Sequence, residues 1–292
     1  MADQSPAPQD APLRPSRQVL LWVEFEGTDF CGFQRQAPPL RTVAGEIEKA
    51  WLRMMGETIV ARSSSRTDSG VHARRMPVLV MTAVKVPPRN LKLGLNRHLP
   101  PDLAVQAVED MPPEFHVRHD AVGKRYVYRI QRNESLSPMW RRTSWHVRAP
   151  LDLEAMMQAA PLLAGVHDYA AFRDIACVAK STIRNLRRVQ VEAVDERLLT
   201  ITVEGNAFLM HMVRILAGTL VDVGHHRLAP EDMPAILASR DRTRAGQTAP
   251  AHGLTLDEVM FGPAGERQGL DYKRLLTNMN RAWGETADED ED

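Results

Sequence analysis

Apolar and polar residues alternate along the first part of the chain with the periods of a strand and then a helix. Residues 18–25 (QVLLWVEF) are rich in β-branched and aromatic types and predict a buried strand leading into a loop at Glu26-Gly27. A helix capped by Thr42 follows, because apolar residues then recur at helical spacing: Val43, Ile47, Ala50, Trp51 and Met54. Residues 57–62 and 78–84 predict two more strands, on either side of a polar loop from Ser63 to Arg75.

Similar patterns recur after Pro112-Pro113. Tyr126, Tyr128 and Ile130 alternate with Val127 and Arg129, which predicts a strand. Residues 152–164 predict a helix. Residues 189–203 predict a hairpin turning near 195–197. The nearly all-apolar segment 207–223 predicts a buried helix ending at Gly224.

These patterns divide the chain into two similar parts. We predict α/β domains at residues 18–113 and 114–265, each with strands packed against helices. A Pro-rich, disordered tail (residues 1–17) precedes them, and a segment ending in an acidic tail (residues 266–292) follows them.

Composition sharpens this picture in two ways. Nothing approaches 18 consecutive apolar residues, and the two cysteines match no metal or redox spacing, so we expect a soluble, cytoplasmic protein. The formal net charge is zero, but six of the 37 acidic residues lie in the last eight positions, which leaves 31 acidic residues against 37 basic ones. The body is therefore mildly basic, which permits a polyanionic partner.

The polar loop contains the segment Arg66-Thr67-Asp68-Ser69-Gly70-Val71-His72-Ala73. Asp-Ser-Gly on its own is an ordinary turn sequence, because aspartate bonds its own backbone and glycine adopts positive φ. Arg66, two residues before Asp68, would keep a sparsely solvated carboxylate ionised. Such an aspartate acts as a nucleophile or a base rather than as an acid.

This segment resembles the signature of the TruA family, the tRNA pseudouridine synthases that act on the anticodon stem-loop. Further family motifs follow in order from about residue 18 to 261, namely Phe25 to Gln36 (FEGTDFCGFQRQ), Gly94-Leu95-Asn96, Phe115 to Arg118 (FHVR), Lys124-Arg125-Tyr126, Asn206-Ala207-Phe208, His211 to Arg214 (HMVR) and Gly253-Leu254.

The resemblance implies an α/β (α+β) fold of two ferredoxin-like halves, with a joint antiparallel sheet and a central basic cleft, in a homodimer. It also implies the reaction: uridines around positions ~38, 39 and 40 of tRNA become pseudouridine, without a metal or other cofactor. Asp68 matches the catalytic aspartate, and Tyr126 the tyrosine that stacks on the target base and serves in removing the C5 proton. Arg66 and Arg214 match arginines around the carboxylate.

Substrate binding is assigned to the same Tyr126, Arg66 and Arg214, together with His72 and Leu254. Arg214 is also notable from the sequence alone, because a charge in so apolar a helix needs a partner, and breaking a buried pair costs ~3–5 kcal/mol. By pattern alone, however, Tyr126 would be a core aromatic, and His72 and His211 would be structural histidines.

This chain departs from the family pattern at several positions. Ser65 and Ser69 stand where glycine and alanine are usual, and Phe33 where tryptophan is usual. Pro77 donates no backbone hydrogen bond, so we expect the strand after the signature to begin late. For RNA backbone contacts the sequence offers two basic stretches: Arg141, Arg142 and Arg148 with Trp140 and Trp145, and Arg184, Arg187 and Arg188.

Two alternatives differ in class. One is an RNA-binding protein of the same fold that has lost or altered catalysis, which the departures near the signature allow. The other is a metal-dependent nucleobase deaminase, which needs a His-x-Glu and a Cys-x-x-Cys that this sequence lacks.

Overall fold

The computed structural model describes residues 17–262, which form a ten-stranded sheet with five α-helices. The strands are β1 (Arg17–Phe25), β2 (Arg62–Ser63), β3 (His72–Thr82), β4 (Leu103–Met111), β5 (Ala121–Gln131), β6 (Trp145–His146), β7 (Gly165–Asp168), β8 (Ile183–Ala193), β9 (Leu198–Gly205) and β10 (Leu254–Phe261). The helices are α1 (Val43–Met55), α2 (Pro88–His98), α3 (Leu153–Ala159), α4 (Met212–Gly224) and α5 (Asp232–Ser239).

The sheet runs β4-β1-β3-β10-β5-β9-β8-β7, with β2 on β3 and β6 on β5. Neighbours are antiparallel except for β3 with β10 and β5 with β6. The first half is the unit β1-α1-β2-β3-α2-β4, in the spatial order β4-β1-β3-β2. The second is β5-α3-β8-β9-α4-β10, in the equivalent order β10-β5-β9-β8. Both are the ferredoxin-like arrangement, which confirms the predicted fold class.

The two halves join where β10 lies between β3 and β5. Thr255 and Leu256 pair in parallel with His72 and Ala73 of β3, and along its length β10 pairs antiparallel with β5. The last strand of the second half therefore closes the sheet, and the chain passes from one half to the other between β4 and β5. The predicted tails lie outside the described residues, apart from Arg17, which begins β1.

Several sequence predictions are confirmed in detail. Helix α1 begins after Thr42, whose Oγ1 accepts a hydrogen bond from Gly45 N at 3.2 Å. The hairpin of β8 and β9 turns where expected, and Leu199, Ile201 and Val203 are fully buried. In α4, eleven of the thirteen residues are buried, as its all-round apolarity predicted.

Other predictions are wrong. Of residues 57–62, only Arg62 belongs to a strand. Strand β3 begins at His72, before Pro77, and not late. The proline is tolerated because it pairs with Trp22 of β1, while the other edge of β3 pairs with β10 at residues 72–73 and with β2 at 78–79, leaving 74–77 unpaired there. Helix α4 begins at Met212 rather than at residue 207, because His211 has positive φ.

Candidate active site

A cavity of about 560 Å³ opens where the two halves meet. Its walls come from the loop between β2 and β3, from β5, from the segment 206–213 and from Leu254 at the start of β10. Asp68 and Arg66 of the loop between β2 and β3 line it together with Tyr126 and Leu254, which lie far from them in sequence. The joint between the halves is thus also the place where the candidate residues come together.

The loop that carries Asp68 is held by the loop that follows β1. Phe33 N donates to Thr67 O at 3.2 Å, and Gly70 N donates to Phe30 O at 3.2 Å. Gly32 has φ 83°, and a β-carbon there would come within 2.6 Å of Thr67 O. This close backbone approach explains why a glycine occurs in the motif of residues 25–36. The first loop therefore serves as a rigid support for the second.

The Asp68 carboxylate is paired by Arg214, not by Arg66. Arg214 Nη1 lies 3.5 Å from Asp68 Oδ2, and Arg214 Nε donates to Ala249 O at 2.8 Å. The predicted need of Arg214 for a partner is thus met. Arg66 lines the same cavity but is exposed, and within residues 17–262 it makes no ion pair. Of the two arginines expected around the carboxylate, Arg214 is thus the one that pairs with Asp68.

His211 links Asp68 to a second carboxylate. Its Nε2 lies 3.4 Å from Asp68 Oδ2, and its Nδ1 lies 2.7 Å from Asp174 Oδ2. The N–H of Ala176 and the contact with His211 lower the pKa of Asp174. His211 has φ 57°, a left-handed conformation that costs a non-glycine residue roughly 1–3 kcal/mol.

Tyr126 is a buried aromatic that still reaches the cavity. Its ring packs edge-on against Phe208, with centroids 5.0 Å apart. Burial, together with the negative charge of Asp68, raises the pKa of the phenol above its usual value. The hydroxyl therefore stays protonated at neutral pH and can donate a hydrogen bond.

The cavity is rich in positive charge. Its lining includes four basic residues, Arg66, Arg118, Lys124 and Arg184, but among the described residues only one carboxylate, Asp68. Lys124 Nζ donates to Ser64 O at 2.8 Å. Burial, and then the charges of Arg118 and Arg184, lower the pKa of Lys124 to about 8. The arrangement suits an anionic ligand near a single carboxylate.

Comparison with known proteins decides the family. A sequence model described as tRNA pseudouridine synthase matches residues 21–120 and 159–262. The tRNA pseudouridine synthase A of Geotalea daltonii is 42% identical over 245 residues, which are 84% of this chain and 100% of the relative. That of Syntrophotalea carbinolica is 44% identical over 245 residues (84% and 96%), and that of Myxococcus xanthus 42% over 254 residues (86% and 96%). The chain belongs to the tRNA pseudouridine synthase family.

His72, although part of the signature by which this family was recognised, lies away from the cavity of Asp68. It is buried, its Nδ1 accepts from Gly27 N at 2.8 Å, and its Nε2 lies 2.9 Å from His252 O. Burial lowers the pKa of the imidazole, so the ring stays neutral and bridges two backbone groups. His72 thus connects the loop after β1 to the turn before β10.

Most of the basic side chains that the sequence offered for RNA backbone contacts bind other parts of the protein instead. Arg142 pairs with Glu26 at 2.9 Å and with Asp29. Arg187 donates to Val122 O at 2.7 Å, and Trp145 packs edge-on against Tyr128. Of the basic residues in those two stretches, Arg184 alone lines the cavity.

Sequence reasoning missed several residues of this cavity. Lys124 lies in a family motif, two positions before Tyr126 in β5. Residues two positions apart in a strand lie on the same face, so strand periodicity would have placed both on one face. Arg118 and His211 also belong to quoted motifs, but no local pattern assigns them to the cavity. Asp174 has no sequence signal, because only the tertiary fold brings it to His211.

The structure also bears on the expected relation to membranes. Among residues 17–262, no helix is long and apolar enough to cross a bilayer.

Proposed function

We propose that this chain converts uridine to pseudouridine in the anticodon arm of tRNA, around positions ~38–40, with Asp68 as nucleophile and without a cofactor. The observation that carries the proposal is the Asp68 carboxylate in a cavity whose lining is otherwise basic, polar or apolar. The curated relatives named tRNA pseudouridine synthase A support the reaction class.

The reaction requires nothing beyond the substrate and the side chains. The C1′–N1 bond of the uridine breaks, a C1′–C5 bond forms, the C5 proton leaves and N1 gains a proton. Atoms and electrons are conserved, so no oxidant, reductant or second substrate enters. Asp68 supplies the electron pair that stabilises the base or the sugar while they are separated, and a second proton-transfer group is needed at C5.

Tyr126 fits the tasks of packing on the base and of transferring a proton. Asp68 is the second cause of its raised pKa, after burial. When Asp68 is covalently engaged its negative charge disappears, and that part of the shift disappears with it. The phenol therefore gives up its own proton more readily once the adduct has formed, and it must do so before its oxygen can accept the proton from C5.

The walls of the cavity support an RNA substrate. Arg66 and Arg118 make no ion pair within the described residues. The hydroxyls of Ser64 and Thr67 are buried in the lining without a hydrogen-bond partner there. Flipping a uridine out of a stem-loop costs a few kcal/mol, which phosphate contacts and hydrogen bonds to the base offset. A wider basic cleft and a homodimer, which the resemblance implies, and a cytoplasmic location, which the composition suggests, belong to this proposal.

The test is incubation of the purified protein with unmodified tRNA, followed by carbodiimide treatment and reverse transcription, which stops at pseudouridine. We expect stops in the anticodon arm with the wild type, and a rate at least about 10³-fold lower for Asp68→Asn. Asp257→Asn is the matched control, because Asp257 pairs with Arg74 outside the cavity. Full activity of Asp68→Asn would refute the role of Asp68.

The same assay separates the second candidate. If the wild type binds tRNA but produces no stops, the chain is an RNA-binding protein of this fold with altered catalysis. The intact Asp68, Arg214 and Tyr126 constellation favours the enzyme.

A further inference from the structure

Both side-chain contacts of the Asp68 carboxylate fall on the same oxygen. Arg214 Nη1 lies 3.5 Å and His211 Nε2 lies 3.4 Å from Oδ2. Within residues 17–262, no hydrogen bond or ion pair reaches Oδ1. A carboxylate held through one oxygen has a defined orientation and keeps the other oxygen for the substrate.

The far end of this contact chain is fixed by backbone. Asp174 Oδ2 lies 2.7 Å from His211 Nδ1, while Asp174 Oδ1 accepts from Ala176 N at 2.9 Å. The N–H of Asp174 donates to Met210 O at 3.1 Å, which ties the aspartate to the residue before His211. Both oxygens of Asp174 are therefore engaged, and His211 has little freedom to turn.

The near end lies on the first turn of α4. Ile215 N donates to His211 O at 3.0 Å, and Arg214 follows His211 by three residues. One helical turn thus supplies both groups that contact Asp68 Oδ2, and the positive φ of His211 marks the point where the chain enters that turn.

We propose that Asp174 and His211 form a positioning pair that, with Arg214, holds Asp68 through Oδ2 and leaves Oδ1 as the reacting oxygen. The inference rests on the proposed function and deepens it. His211 acts through Asp68, and Asp174 acts through His211, so neither is assigned a chemical step. Loss of the pair lowers the rate of the chemical step and leaves tRNA affinity unchanged.

Two substitutions at His211 separate its two contacts. Asn places its amide nitrogen near the position of Nδ1, so His211→Asn keeps the link to Asp174 and loses the one to Asp68. Gln reaches the position of Nε2, so His211→Gln keeps the contact with Asp68 and loses the tether. Asp174→Asn leaves the imidazole in place but replaces its acceptor. His226→Asn is the matched control, because His226 also has positive φ (56°) and an aspartate neighbour, Asp152, but lies outside the cavity.

The experiment measures the single-turnover rate of pseudouridine formation, the tRNA dissociation constant and the melting temperature for each variant. We expect His211→Asn to lower the rate about 10- to 100-fold with tRNA affinity within about twofold of wild type. His211→Gln should fall between wild type and His211→Asn, Asp174→Asn should be slowed about tenfold, and His226→Asn should match wild type.

Each other outcome counts against the pair. Equal rates for His211→Asn and wild type overturn it while the proposed function stands. A loss of affinity as large as the loss of rate would make His211 a tRNA contact instead. If His211→Asn does not fold, Asp174→Asn decides the matter by the same measurements, and a wild type without activity overturns both proposals.

Discussion

The two faces of strand β5 differ in whether their basic side chains have carboxylate partners. On one face, Arg125 lies 2.5 Å from Glu204 and within 3.6 Å of Asp257 and Glu258. The hydrogen bond to Glu204 raises the pKa of this guanidinium. On the other face, Lys124 contacts a backbone carbonyl but no carboxylate within the described residues, and burial lowers its pKa to about 8. Adjacent residues of one strand thus have shifts of opposite sign.

The difference extends beyond β5. Arg74 pairs with Asp257 and Arg75 with Glu258, so these arginines share acceptors with Arg125. A register shift between Leu256 and Glu258 in β10 accompanies the gathering of both carboxylates there. The cavity side has Arg66 and Arg118 without such partners. On one face, ion pairs therefore link neighbouring strands. On the other face, basic side chains without carboxylate partners are left for a ligand. The net charge of the chain does not reveal this difference.

The largest effect that would sharpen this comparison is expected from Arg214→Gln. It removes the ion pair of Asp68 and should lower the single-turnover rate by about 100-fold or more, the loss typical of a preorganised donor. Arg125→Gln, which removes an arginine from the opposite face, should keep the rate within about threefold of wild type. Equal losses in the two variants would show that the faces do not differ in function.

A smaller effect is expected on tRNA affinity. Lys124→Gln should weaken binding about tenfold at low salt and reduce the salt dependence of log K by about one unit, whereas Arg125→Gln should change neither. Filter binding over a range of salt concentrations measures both quantities. The affinity of the wild type should also fall as the pH rises through about 8, where Lys124 loses its charge. A lysine variant that binds as tightly as wild type would contradict the assignment.

The smallest effect is on stability, and its sign follows from the pKa shift. The pKa of Lys124 is lowered in the folded protein from 10.5 to about 8, so between these values the unfolded chain binds more protons. The free energy of unfolding of wild type should therefore rise with pH relative to Lys124→Met across that window, with a slope below ~1.4 kcal/mol per pH unit. Urea titrations at pH 7, 8.5 and 10 would test this, and a difference that grows with pH in favour of Lys124→Met would contradict it.

The sequence predicted the elements whose local signals agree. Strand β1 has an uninterrupted apolar run, and α1 has both a capping threonine and a helical period, so each was found close to its observed bounds. Helices α2 and α5 and strands β4 and β10 were not predicted. The start of β3 was misplaced because the effect of Pro77 depends on which edge of the strand is paired, and sequence does not contain that information.

The candidate site shows the same limit. Asp68, Tyr126, Arg214 and Leu254 were found through motif resemblance, and the structure brings all of them to one place. The sequence left both Arg66 and Arg214 as possible partners of Asp68, and only the structure identifies Arg214, which is 146 positions away. Proximity along the chain was a poor guide where a loop and a helix from different halves meet. The link through His211 to Asp174 depends wholly on that meeting.

The position of β10 has a consequence for how the protein is made. This strand joins β3 to β5 and supplies Leu254 to the cavity, yet it comes last among the described strands. Because synthesis proceeds from the N-terminus and domains fold as they emerge, the first half leaves the ribosome with Asp68 in place but without its neighbour in the sheet. The nascent chain therefore carries the Asp68 carboxylate without an assembled pocket until β10, the last of the described strands, has been translated.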